Sequence, residues 1–129
     1  MAEVSTAKRY EVPAEDMWER IGDPGALATW HPGVKTTELL DGGKTRVNTV
    51  PGGGRVIEPI LEQADHSYTF RIAESPLPFA EFVSTIQVRD DGEDACIVEW
   101  EATFQPSGVS DGEATDLIRG FFQAGLDAL

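Results

Sequence analysis

Sulfur, imidazole, basic charge and long apolar runs are what this chain of 129 residues has least of. Its single cysteine, Cys96, cannot form an internal disulfide, so nothing points to an oxidising compartment. Two histidines, His31 and His66, and that one thiol are its only nitrogen and sulfur metal ligands. None stands at ligand spacing from another, and no metal is expected. No apolar stretch approaches the roughly 20 residues that cross a bilayer, so no membrane insertion is expected. Met1-Ala2-Glu3-Val4-Ser5 has neither the basic start nor the apolar core of a signal peptide. A cytoplasmic location is the expectation.

Basic residues number 10 against 23 acids, for a net charge of −13. Residues 1–57 are nearly balanced, with eight acids and seven bases; residues 58–129 hold fifteen acids and three bases. Phosphate backbones and anionic lipid surfaces are bound mainly through Lys and Arg. Nucleic-acid partners are therefore not expected. The acidity reads as a solvated surface or, in a competing reading, as a docking face for a basic partner.

What is present suffices for one domain spanning 1–129. The chain is 40% apolar and has neither repeats nor a linker. Alternation over residues 3–12 predicts a first strand. Pro13, Glu15 and Asp16 open a short helix with an apolar stripe of Met17, Trp18 and Ile21, which Gly22 can end in the left-handed conformation. Asp23-Pro24 starts a second short helix, and His31-Pro32 ends it. From Val34 to Phe104, turn clusters such as Asp41-Gly42-Gly43 and Asp90-Asp91-Gly92 separate strand-like segments. The clearest alternations are Tyr68/Phe70/Ile72, Phe82/Ser84/Ile86/Val88 and Cys96/Val98/Trp100/Ala102/Phe104. Ser110 with Glu113 forms a capping box. Behind it Ala114, Leu117, Ile118, Phe121, Gly125 and Leu129 recur at helical spacing, with Phe122 and Leu126 widening the stripe.

The order of one strand, two short helices, about six strands and a long helix accompanies a specific set of residues. They are Val12-Pro13-Ala14, Trp18, Asp23, Trp30-His31-Pro32, Arg46 after a Gly-rich turn, Val56-Ile57-Glu58, Tyr68, Leu77-Pro78, Trp100 and a Phe-rich final helix. Together they resemble the SRPBCC (START-like) superfamily, in particular its polyketide cyclase/dehydrase and lipid-transport branch. The resemblance implies an α+β helix-grip fold: six or seven antiparallel strands curved around the C-terminal helix, enclosing a cavity for a small hydrophobic ligand. It implies no cofactor. Pro59 departs from the pattern, since many relatives place an arginine after the glutamate; a proline there suggests an edge or a bulge.

The chemistry such a cavity could host is narrow. Pro51-Gly52-Gly53-Gly54 lacks the Lys-Ser/Thr of a phosphate loop and reads as a hairpin turn. No Gly-x-Ser-x-Gly elbow occurs, and Cys96 alternates with buried Val98 and Trp100 as an inert core thiol. Acid–base work has three candidates. His31 titrates near neutrality, but Trp30-His31-Pro32 also reads as a structural corner shielding the cavity mouth. Glu58, among Val56, Ile57, Ile60 and Leu61, would have its pKa raised by an apolar cavity; alternatively it points outward or pairs with Arg46 or Arg55. Tyr68 is a third candidate or a packed aromatic. Arg46 is the possible anion partner. Trp30, Phe70, Phe82, Trp100, Phe104 and Phe121 supply inward aromatics shared between core and ligand. Gly125 leaves space either for ligand or for a close approach of the sheet. Three functions compete: a binder of a small hydrophobic metabolite, a cofactor-independent cyclase or dehydratase, and an interaction module using the acidic half. Monomer and homodimer are both compatible with the sequence.

Overall fold

Seven strands form a single antiparallel sheet in the order β1-β7-β6-β5-β4-β3-β2, in the computed structural model, which describes residues 2–129. They are β1 (Ala2–Tyr10), β2 (Thr36–Leu40), β3 (Thr45–Thr49), β4 (Arg55–Ala64), β5 (Ser67–Arg71), β6 (Phe79–Asp90) and β7 (Cys96–Pro106). Two short helices, α1 (Ala14–Ile21) and α2 (Leu27–Trp30), follow β1, and α3 (Asp111–Asp127) closes the chain. This is the helix-grip architecture that the family resemblance implies.

Local chemistry accounts for most of it. Ser110 Oγ accepts the Glu113 N–H at 3.1 Å, so the capping box starts α3 where its spacing places it. Pro13 sits just before α1 in extended conformation, one residue earlier than its expected place inside the helix. Gly22 is right-handed rather than left-handed, with φ −75°. What requires glycine there is the Trp18 indole, which lies 2.4 Å from where a Cβ would stand. Val50 and Gly54 close the β3–β4 turn, Val50 N–H donating to the Gly54 carbonyl at 2.9 Å.

Two irregularities aim side chains. Pro59, which cannot donate, stands where the β4–β5 ladder breaks, between the Ile57–Glu74 bridge and the Ile60–Phe70 pair; the register shift itself comes just after, between Ile60 and Glu62. In β6 a bulge between Ala80 and Val83 puts Glu81 at φ 52°. It moves the alternation by one, so Phe79 and Phe82, three residues apart, pack against each other at 5.7 Å between centroids.

The core lies between the concave face and α3. Trp100 stacks on Phe122 at 4.4 Å, and its indole N–H donates to Ser84 Oγ at 3.1 Å. At the far edge the Tyr10 hydroxyl donates to the Leu126 carbonyl at 2.5 Å, fastening β1 to the end of α3.

Candidate functional site

Toward β3–β5 the sheet leaves α3, and a cavity of about 240 Å³ opens between them. Its wall is apolar, built from Leu27, Val56, Phe70, Phe82, Trp100 and Phe122, with further aliphatic and aromatic groups nearer solvent. Leu77 and Leu117, 36% and 49% exposed, mark the mouth, between the β5–β6 loop and the outer side of α3. The α3 stripe therefore divides. Ala114, Ile118, Phe122 and Leu126 are buried, whereas Leu117 reaches the rim with no core facing it.

Three polar side chains interrupt this wall: Arg46, Asn48 and Glu58. Alternation sends Arg46 and Asn48 of β3 to the same face, and the β3–β4 register sets Arg46 directly opposite Glu58. Arg46 Nε donates to Glu58 Oε1 at 2.7 Å, as does Asn48 Nδ2 at 2.7 Å. Arg46 Nη1 donates to the Tyr68 hydroxyl at 2.9 Å and to the Pro24 carbonyl at 3.3 Å. The guanidinium lies 4.4 Å from the Phe70 ring centroid, a cation–π contact in a dry setting. Asn48 Oδ1 accepts from Thr37 Oγ1 at 2.9 Å, which ties the cluster to β2.

Arg46 has no exposed surface and Glu58 is 6% exposed, so this is a desolvated ion pair. Burial opposes the Arg46 charge, but the Tyr68 hydroxyl and the Glu58 carboxylate more than reverse that and keep it protonated. Burial pushes the Glu58 carboxyl up; Arg46 and Asn48 offset only part of the rise. Tyr68 is also pushed up by burial and stays a neutral phenol. Among the described residues only two buried side-chain polar atoms lack a partner, Arg46 Nη2 and Trp30 Nε1.

Of the residues expected at the ligand, Arg46, Glu58, Phe70, Phe82, Trp100 and Phe121 come together on the wall. Trp30, His31, Tyr68, Phe104 and Gly125 do not. Tyr68 stands behind Arg46, holding it. Phe104 is packed edge-on against Phe79, which takes the place on the wall. Trp30 lies behind Trp100, at 5.7 Å between centroids. His31, expected at the mouth, is 1% exposed and wedged between Trp100 and α3. Gly125 makes room for that wedge rather than for ligand, since a Cβ there would stand 2.5 Å from His31 Cδ2.

Glu58 answers both of its alternatives at once: it points inward and pairs with Arg46, because Arg46 points inward too. Asn48 was not singled out from the sequence, although its place two residues after Arg46 on one strand puts it on the same face. Nor was Phe79, because only the bulge at Glu81 turns it inward. Among the described residues no three His, Cys, Asp or Glu side chains gather as a metal site, and no helix is long and apolar enough to cross a membrane.

The model of the family described as polyketide cyclase/dehydrase and lipid transport matches residues 1–129. No match was found among curated proteins. The chain is similar in structure to the protein XoxI from Bacillus cereus, with 34% identity, a TM-score of 0.97, and 99% of this chain and 92% of that one covered. It shares its fold with a START superfamily protein from Mycobacterium smegmatis (14% identity, TM-score 0.84, 99% and 94% covered). An aromatase/cyclase, Zhui, from a Streptomyces species has the same fold (15% identity, TM-score 0.77, 98% and 87% covered).

Proposed function

The chain belongs to the polyketide cyclase/dehydrase and lipid transport family, and from that premise we propose that it binds one small, largely apolar organic molecule in the cavity between the sheet and α3. The observation that carries this reading is an apolar chamber with a single polar cluster, Arg46–Asn48–Glu58, on its wall. Pockets of this make-up bury the body of a ligand in hydrocarbon and orient it through a few hydrogen bonds. The volume corresponds to about eight waters of bulk liquid. That is just under the usual range of ligand pockets, about 300–1,000 Å³, and favours one or two rings over a long acyl chain. The unpartnered Arg46 Nη2 supports a ligand that brings a hydrogen-bond acceptor to this end. Because Arg46 and Glu58 already neutralise each other, a neutral oxygen such as a carbonyl or phenol suits it better than a carboxylate.

One observation favours acid–base catalysis as a second reading: Glu58 lines the cavity with its carboxyl raised by burial. Against it, Oε1 is committed to Arg46 and Asn48. An interaction module built on the acidic half would have no use for such a chamber.

The test is native mass spectrometry of the purified protein, followed by titration with 1-naphthol, a two-ring phenol. Saturable one-to-one binding that Phe70→Trp or Phe82→Trp blocks, with the fold intact, is the expected result. Naphthol binding that neither substitution alters would refute the cavity as the site.

A further inference from the structure

Outside the Arg46 cluster, His31 is buried and held through both of its ring nitrogens. Its Nδ1 accepts the Gly33 N–H at 2.9 Å, and its Nε2 lies 2.7 Å from the Phe121 carbonyl. A carbonyl cannot donate, so Nε2 carries the hydrogen, and Nδ1 must be bare to accept. Only the neutral ring with its hydrogen on Nε2 satisfies both partners. The Phe121 ring stacks on the imidazole at 4.0 Å, with 22° between planes, and Trp100 meets it edge-on at 5.8 Å.

Both hydrogen-bond partners are parts of the cavity wall. Gly33 and Phe121 line it, from the segment after α2 and from α3 respectively. Both hydrogen bonds of the ring go to backbone groups, and among the described residues it forms no ion pair. On β7, Glu101 is exposed and Glu99 is engaged by Arg89 on the outer face. On α3, Arg119 pairs with Asp116 and Asp127 with Lys8, all solvent-facing. Lys35, beyond Gly33, is exposed as well.

We infer that His31 is a positioning residue that holds two walls of the cavity, the Gly33–Val34 segment and the Phe121 edge of α3, and that it does so only while neutral. A proton on Nδ1 would set two N–H groups against each other at Gly33. The ring would have to turn, or the segment withdraw, and Phe121 would lose its stacking partner. The inference rests on the cavity being the binding site. Its sign follows from burial, which lowers the His31 pKa below the ordinary value near 6.5. Affinity is constant above the folded pKa. Below it, affinity falls by as much as tenfold per pH unit, because binding requires the deprotonated ring.

The experiment is a 1-naphthol titration from pH 8 to pH 5, with the two histidines followed by long-range ¹H–¹⁵N NMR. At pH 7 His31 should appear as the Nε2–H tautomer. Bound naphthol should lower its pKa further. His31→Gln should weaken binding at pH 8 and flatten the profile. Should that variant fail to fold, the wild-type His31 titration with and without naphthol decides alone. Absence of naphthol binding at pH 8 would overturn the cavity reading itself. Binding with an unchanged His31 titration, or with the Nδ1–H tautomer, would overturn only the positioning role.

Discussion

Gly125 and Gly120 stand five residues apart on one helix, and alanine should act on them with opposite sign. Relative to glycine, alanine in a helix interior stabilises by about 1 kcal/mol. At Gly120, which is exposed with nothing within 4 Å of a built Cβ, that gain should appear almost undiminished. At Gly125 the same methyl would lie 2.5 Å from His31 Cδ2, 2.9 Å from Nε2 and 3.1 Å from Trp100. Neither ring yields cheaply. His31 is pinned through both nitrogens, and Trp100 is stacked on Phe122 with its N–H on Ser84. Overpacking costs about 1–3 kcal/mol, and weakening the His31–Phe121 hydrogen bond about another 1 kcal/mol. Subtracting the helix gain leaves Gly125→Ala destabilised by about 1–3 kcal/mol. Urea unfolding monitored by tryptophan fluorescence and by far-ultraviolet circular dichroism reads both variants on one scale, with unchanged slopes and shifted midpoints. If Gly125→Ala proves as stable as wild type, the His31 wedge is not where it is placed. If Gly120→Ala is destabilised, the helix argument fails.

Glu58→Gln leaves the Arg46 charge buried without its counter-ion and should cost about 3–5 kcal/mol, measured by urea unfolding; under the acid–base reading it should also lower turnover of the true substrate by roughly 10² to 10⁴, and under the binding reading it should not. Phe82→Ala should lose about 3–5 kcal/mol and enlarge the cavity, so that isothermal titration finds three-ring phenols binding better relative to 1-naphthol than in the wild type. Stability should fall as pH drops below about 6.5, because the unfolded chain takes up a proton at residue 31 that the folded ring resists. This contribution, up to about 1.4 kcal/mol per pH unit, is read as the difference between wild type and His31→Gln, since the raised Glu58 carboxyl acts with the opposite sign in both proteins; identical pH dependences of the two would contradict it. Tyr10→Phe removes the shorter of the hydrogen bonds to the Leu126 carbonyl, which keeps the Leu129 N–H at 3.3 Å, and should cost about 0.5–1.5 kcal/mol in the same assay.

What could be read from the sequence was whatever depends on neighbours along the chain. The strand–helix–helix–meander–helix order, the Ser110–Glu113 cap and the inward face of β7 all follow from period and capping, which act over four residues or fewer. The family resemblance rested on the order of those pieces together with particular residues, among them Trp18, Trp30-His31-Pro32, Val56-Ile57-Glu58 and Trp100. The inward aromatics of regular strands, Phe70, Phe82 and Trp100, could be named on the same ground, since strict alternation fixes their side.

The remainder depended on contacts between distant segments. Whether Glu58 was outward, paired or free turned on the side taken by a residue twelve positions away, and the β3–β4 register decided it. Whether His31 would be a mouth residue or a wedge depended on α3 bringing the Phe121 carbonyl to Nε2, ninety residues on. Gly125 looked like spare volume because nothing in its own helix shows the ring that fills the notch. Phe79 was hidden by a one-residue bulge, which reverses a side chain without changing local composition. Strand and helix signals are short-ranged and survive in the sequence. Register, bulges and the docking of one helix on a sheet are settled by close packing and by the demand that every buried polar atom find a partner, and those conditions exist only once the chain has closed on itself.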